Sequence, residues 1–310
     1  MLKIVITGGA GFIGSNLAGY FLDKGEEVLV IDNLRTGKEE NLNNFNNINF
    51  VRGSITDKKL VEENLSGADV VFNMAALVSV PESVDKPLET VEINTKGVIN
   101  LLEASLKHNV KKVVLSSSAA IYGNNPQLPK KTNMFPEPVS PYAITKLSGE
   151  YFLNLYTKEH DLKTVSLRYF NVYGPKQDPK SQYAAAIPIF IERSLKNEKI
   201  IIYGDGQQTR DFIYIDDVVK ANVSAFEKQD VTGVYNVANG ESITILELAQ
   251  KIIEATNSKS AIKFAGERKG DVKHSLASIE STREKLGFKP SVKLEDGLMK
   301  TIQYFERKLR

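Results

Sequence analysis

Seven residues, Gly8-Gly9-Ala10-Gly11-Phe12-Ile13-Gly14, restrict the fold of this chain more than any other stretch. They follow a short apolar run, 2–6, and open an amphipathic stretch in which Ile13, Leu17 and Phe21 share one helical face before Gly25. Glycine at 8, 11 and 14 permits a tight turn, close backbone approach to a pyrophosphate, and close helix–strand packing. The helix N-terminus then offers amides and a positive dipole to phosphates. Further apolar runs at 27–31, 48–52, 69–74, 112–116 and 163–168 alternate with amphipathic stretches at 57–66, 91–108 and 142–160. That alternation predicts an α/β fold, a Rossmann-type doubly wound parallel sheet. Asp32 closes the second run, where a carboxylate can bind the adenosine ribose hydroxyls and repel a 2′-phosphate. The cofactor expected is NAD.

The texture changes after Gly174-Pro175. A polar loop, 175–183, is expected before a helix at 184–197 and a strand at 200–203. Gly204–Asp211 reads as a loop and 212–214 as extended. Thr244 and Glu247 form a capping-box pattern that opens a helix to about 256, and a last helix is expected at 294–308. With neither a repeat nor a low-complexity linker, two interleaved lobes are expected. Residues 1–170 with about 212–240 would form the dinucleotide-binding domain. About 171–211 and 241–310 would form a smaller α/β substrate-binding lobe.

Composition excludes several classes of function. Net charge is +2, from 40 basic and 38 acidic residues, so no bulk field recruits nucleic acid or an anionic membrane. Cysteine is absent, which removes disulfides, thiolate metal sites and thiol nucleophiles. His108, His160 and His274 are scattered, and no metal is expected. The chain enters its first apolar run at Leu2 without a charged leader, from which a cytoplasmic protein is expected.

The chemistry is concentrated in Ser116-Ser117-Ser118 and Ser140-Pro141-Tyr142-Ala143-Ile144-Thr145-Lys146. The serines end an apolar run, at the carboxyl end of a strand, where ligands of open α/β sheets bind. On a helix Tyr142 and Lys146 stand at i and i+4 and share a face. An ammonium beside a phenol favours the phenolate, so Tyr142 is expected to be a general base with a lowered pKa.

With these motifs the chain resembles the extended short-chain dehydrogenase/reductase family, and within it the nucleotide-sugar 4-epimerases. The likeness runs through Thr7–Gly14, Ile31–Asn33, Ser116–Gly123, Ser140–Lys146, Arg168–Pro175, Gly204–Val218 and Arg268–Ser275. It implies that Ser118 holds the sugar O4, that Tyr142 is the base, and that Lys146 binds the nicotinamide ribose. It also implies cofactor contacts from Gly8, Gly11, Phe12, Ile13, Gly14, Asp32, Asn33, Ser54, Ile55 and Ala75. On the substrate side it implies Asn171 at the diphosphate, Arg210 and Arg268 clamping it, Asp271 on the uridine ribose, and Ala186 and Tyr203 nearby. Guanidinium suits phosphate through charge and fork geometry. The chain departs from the pattern at Ser54, where an acid commonly meets adenine. It also departs at Asn73-Met74, where histidine-leucine is common, and at Ser278, a frequent aspartate.

The implied cycle removes the O4 proton and the C4 hydride, turns the 4-keto sugar over, and returns hydride to its other face. Rivals on the same scaffold are a UDP-glucuronate 4-epimerase, a 4,6-dehydratase or a decarboxylase, and outside enzymes a dinucleotide sensor. Dehydratases place acids after the strand-end hydroxyl, where this chain has Ala119-Ala120, and methyl groups move no protons. The position of Ser275 borders the pocket for the C2 substituent in related epimerases, and a small residue there admits an N-acetyl group. Gly174-Pro175-Lys176-Gln177-Asp178-Pro179 and Tyr183–Pro188 resemble the subgroup accepting N-acetylated sugars. The expected partners are therefore a UDP-sugar, UDP-N-acetylglucosamine or UDP-N-acetylgalactosamine first, and a second copy of the chain, through helices at about 91–108 and 142–160.

Overall fold

The computed structural model describes residues 1–179, 185–267 and 272–309, with Leu309 as backbone only. The first half builds the sheet. Strands β1 (Lys3–Thr7) and β2 (Glu27–Asp32) flank helix α1 (Phe12–Asp23). Strand β3 (Ile48–Arg52), helix α2 (Lys58–Asn64) and strand β4 (Val70–Asn73) follow. Helices α3 (Val80–Asp85), α4 (Pro87–Val91) and α5 (Gly97–Lys107) run to β5 (Lys112–Ser118), with a π-helical turn at Glu92–Lys96 between α4 and α5. Helix α6 (Pro141–His160) leads to β6 (Lys163–Tyr169).

The second half contributes short pieces. Strand β7 (Asn171–Tyr173), helix α7 (Ala186–Leu195) and strands β8 (Ile200–Tyr203), β9 (Thr209–Arg210) and β10 (Phe212–Tyr214) come first. Helix α8 (Ile215–Glu227), strands β11 (Gly233–Val237) and β12 (Ile243–Thr244), and helix α9 (Ile245–Ala255) follow. Strand β13 (Ile262–Ala265) and helices α10 (Glu280–Leu286) and α11 (Leu294–Leu309) complete the chain.

Seven strands form one parallel sheet in the order β11-β6-β5-β4-β1-β2-β3. Alternate residues of each strand enter opposite cores, because side chains leave a strand with a period of two. Ile4, Ile6, Val28, Val30, Phe72 and Val114 join one core. Val5, Leu29, Ile31, Val71, Val113 and Leu115 join the other. Burying each such side chain contributes roughly 1.5–3 kcal/mol, so near-continuous apolar strands favour a sheet covered on both faces. Around this sheet stand three two-stranded pairs: β10 with β7, β12 with β9, and β13 with β8.

Several sequence readings needed correction. Thr209–Arg210, expected inside a loop, forms a strand antiparallel to Ile243–Thr244. Helices α3, α8 and α10 and strands β11 and β13 were not anticipated. α8 is the longest of these omissions, and its Asp216 and Asp217 in the first turn were an available start signal.

Candidate active site

The strand order reverses between β1 and β4, and a cavity of about 370 Å³ lies at the carboxyl ends of these strands. Gly8, Gly11, Phe12, Ile13 and Gly14 line its floor. Asp32, Asn33, Ser54, Ile55 and Ala75 line its walls, so every residue expected at the cofactor apart from Tyr142 and Lys146 meets in one place. Two glycines are enforced by space. A Cβ on Gly8, whose φ is +66°, would come within 2.6 Å of the Ala75 nitrogen. A Cβ on Gly14 would come within 2.4 Å of the Gly8 oxygen. No side chain caps the N-terminus of α1, which leaves that end of the helix for an anion. Asp32 is buried and is held by amides, Oδ2 accepting from Ala10 N (3.0 Å) and Oδ1 from Leu34 N (2.8 Å). Burial pushes its carboxyl up, and the two amides oppose this. The uncapped helix end, the cradle without side chains and the fixed carboxylate fit a dinucleotide.

A second cavity of about 250 Å³ contains four of the expected substrate residues, Asn171, Ala186, Tyr203 and Arg210. Sequence reasoning missed Gln208, Arg193 and the apolar wall of Phe190, Ile202 and Phe212. Gln208 lay inside the Gly204–Asp211 segment already singled out, so its neighbourhood was the available signal. Arg268 and Asp271 lie outside the described residues. Ser275 is partly buried, and its amide donates to Thr209 O (3.1 Å), next to Arg210. Two positions on, Ala277 packs with Tyr122 and Phe170.

Asp211, another residue missed from sequence, ties these parts together. Its fully buried carboxylate accepts from Asn239 N (2.8 Å), Gly240 N (3.1 Å) and Ala277 N (3.2 Å). Its carbonyl accepts from Asn171 N (3.1 Å). Burial raises its carboxyl to about 6.

The expected catalytic trio lies at the end of β5 and the start of α6. Strand alternation separates the three serines. The Ser118 hydroxyl accepts from Ala120 N (3.1 Å) and acts on the Tyr142 phenol, holding its pKa down. Ser117 faces the other way and donates to Glu150 (2.5 Å). The carbonyl of Ser116, a residue of the cofactor cavity, accepts from Lys146 Nζ (2.6 Å). Ser118 pairs with Tyr169 across β5 and β6, two residues before Asn171 of the second cavity. Ser140 caps α6 by accepting from Ala143 N (3.2 Å), which sets Tyr142 and Lys146 on its first turns.

The electrostatics differ from the sequence expectation. Desolvation pushes the Tyr142 phenol above its ordinary value, and Ser118 opposes it. Lys146 Nζ is 5.7 Å from the phenol ring centroid, and its own pKa is pulled down to about 8 by burial, against the Glu150 carboxylate. Burial thus acts on the phenol in the direction opposite to the lowering expected from Lys146. Glu150 is itself clamped by Arg168, with Nε donating to Oε1 (2.9 Å) and the second arm donating to Oε2 (2.8 Å), both residues being buried.

Known proteins give the same picture. The model of the NAD dependent epimerase/dehydratase family matches residues 4–238. A UDP-glucose 4-epimerase of Mycolicibacterium smegmatis is 36% identical, with 99% of each chain covered. A solved UDP-N-acetylglucosamine 4-epimerase from Methanobrevibacter ruminantium M1, in complex with UDP-N-acetylmuramic acid, is 44% identical, covers 99% of each chain and has a TM-score of 0.95. A UDP-glucose 4-epimerase from Thermotoga maritima, solved with UDP-glucose, is 42% identical, covers 100% of each chain and has a TM-score of 0.96.

Proposed function

This chain belongs to the NAD dependent epimerase/dehydratase family and is an NAD-dependent UDP-sugar 4-epimerase, and within that activity we propose that it interconverts UDP-N-acetylglucosamine and UDP-N-acetylgalactosamine. UDP-glucose and UDP-galactose are further substrates in this reading. The Gly8–Gly14 turn and Asp32 would hold NAD, which would supply hydride-accepting and hydride-returning chemistry for C4 of the sugar. The chain's own residues handle the proton and the position. Ser118 holds the sugar O4 against Tyr142, and Tyr142 takes the O4 proton and returns it. Lys146, anchored on Ser116 O, binds the nicotinamide ribose and supplies positive charge beside the phenol. Arg210, with Arg268, neutralises the diphosphate, and the second cavity accommodates the uridine end. In this reading the two lobes divide the work as their sequence order suggests, cofactor in the first and sugar nucleotide in the second.

The observation that carries the reading is the bond from Lys146 Nζ to Ser116 O at the edge of a cavity fitted to a dinucleotide, with a second cavity carrying Arg210 and Asn171. The N-acetyl preference is supported by Ser275, a small residue beside the Arg210 strand, and by similarity to the Methanobrevibacter ruminantium enzyme. Incubation with a panel of UDP-sugars, with chromatographic separation of C4 epimers, tests it. Turnover of non-acetylated sugars alone would refute the preference. Ser275→Tyr is expected to abolish N-acetyl turnover by steric overlap while sparing plain hexoses. A product lighter by one water would assign the chain to dehydration instead, against Ala119-Ala120.

A second copy of the chain is the proposed partner. Val84, Leu88 and Val91 on α3 and α4, and Ile144, Tyr151 and Leu155 on α6, are exposed apolar residues on helices that pack together. Glu89, Glu92 and Lys96 flank them with both signs of charge, so a twofold-related copy meets its own complement. Sedimentation is expected to give a dimer that Leu88→Glu dissociates, and a monomeric wild type would reject this face.

A further inference from the structure

The seven-stranded sheet does not enclose the cofactor cavity by itself. Part of its wall comes from Lys176, Gln177 and Asp178, in the loop after β7. Across from them stand Lys38 and Asn41, from the loop after β2. Contacts join the loops: Lys38 Nζ lies 2.8 Å from Asp178 Oδ2, and Lys176 Nζ donates to Asn41 O at 3.2 Å. Lys176 Nζ also sits 5.0 Å from the ring centroid of Phe45. The near side is tied to the glycine turn, because Lys38 N (3.0 Å) and Asn41 Nδ2 (2.8 Å) both donate to Ala10 O.

Gln177 supplies an independent sign that a ligand belongs here. Its Nε2 donates to Val172 O (3.1 Å), while its Oε1 is buried without a hydrogen-bond partner among the described residues. A buried acceptor of this kind is costly unless a donor arrives. A dinucleotide brings hydroxyl donors, and its pyrophosphate suits a wall carrying two lysines. The reaction is redox-neutral, so a cofactor lost between the two hydride steps would leave the keto sugar stranded.

We infer that the loop containing Lys176, Gln177 and Asp178 is a clasp that retains the dinucleotide, with Gln177 Oε1 accepting a hydrogen bond from a cofactor hydroxyl. The inference rests on the NAD dependence stated above. An exposed ion pair contributes little alone, so the Gln177 bond is the larger part and the Lys38–Asp178 pair the smaller.

The test is NAD loss from the purified holoenzyme, followed as bound NAD per chain after dilution, with UDP affinity measured in parallel by calorimetry. Gln177→Ala is expected to speed NAD loss about tenfold, equivalent to one hydrogen bond. Lys38→Ala and Asp178→Ala are each expected to speed it about threefold, and the double variant no more than either single one. Gln177→Met, which keeps the side-chain length, carries the test if the alanine variant fails to fold. NAD loss within a factor of two of wild type in both Gln177 variants would overturn the clasp, as would a fall in UDP affinity with NAD loss unchanged. A wild type purified without NAD, and unable to bind it, would instead refute the cofactor reading beneath it.

Discussion

The two cavities are built in different ways. The cofactor cavity rests on consecutive strand ends of one sheet: Gly8 follows β1, Asp32 ends β2, Ser54 follows β3 and Ala75 follows β4. Each residue is placed at or just past the carboxyl end of a strand, and parallel pairing sets those ends side by side. The second cavity has no such common frame. Asn171, Ala186, Tyr203, Arg210 and Ile245 come from separate segments, joined through two-stranded pairs and hydrogen bonds such as those of Asp211. One site is fixed by a sheet, the other by cross-links between short pieces. A single buried side chain should therefore matter more to the second.

The largest effect expected is at the proposed base, which lines neither cavity. Tyr142→Phe removes the ionisable hydroxyl and keeps the ring, so kcat should fall by about two to four decades. Bound NAD and UDP affinity should remain, because neither cavity is lined by Tyr142. Near wild-type turnover would remove Tyr142 from the chemistry.

A smaller effect separates the cavities directly. Asp211→Asn keeps the shape but turns amide hydrogens toward backbone donors and removes a charge from three bonds. KM for the UDP-sugar is expected to rise about tenfold while kcat changes less and the NAD content of the purified protein is kept. Equal loss of NAD would break the contrast, since it would make Asp211 a support of the whole fold.

The smallest effect is spectroscopic. In the cofactor-free protein, desolvation acts on Tyr142 without a bound positive ring to oppose it, so the phenol should titrate above its ordinary value of about 10. The difference in tyrosinate absorbance between wild type and Tyr142→Phe measures it. Titration below that value without NAD would show that Lys146 prevails over burial.

Much of the first site was legible because its signals are local. A glycine turn and an acid at a strand end each constrain geometry within a few residues, and the structure gathers them in one cavity. The second site was legible only in its motif residues. Arg210 and Asn171 stand out by type, but the apolar wall of Phe190, Ile202 and Phe212 is indistinguishable in sequence from ordinary core. Helix α8 escaped notice for a related reason. Its Asp217 accepts from Ser291 N (2.9 Å) and Val292 N (2.9 Å), far along the chain.

By itself the sequence determined the parallel sheet and the glycine turn, and it singled out Ser118, Tyr142 and Lys146 as candidates, because periodicity and glycine geometry act over one or two turns of chain. Tertiary structure alone decided the protonation balance and the closure of the sites. Burial sets Tyr142 above and Lys146 below their ordinary values, and burial is a property of everything packed around them. Asp211 gains its role from Asn239, Gly240 and Ala277, and Gln177 from a cavity whose far wall lies more than a hundred positions earlier. Contacts between distant segments form only when the folded core makes up the chain entropy they cost, so no local pattern could announce them.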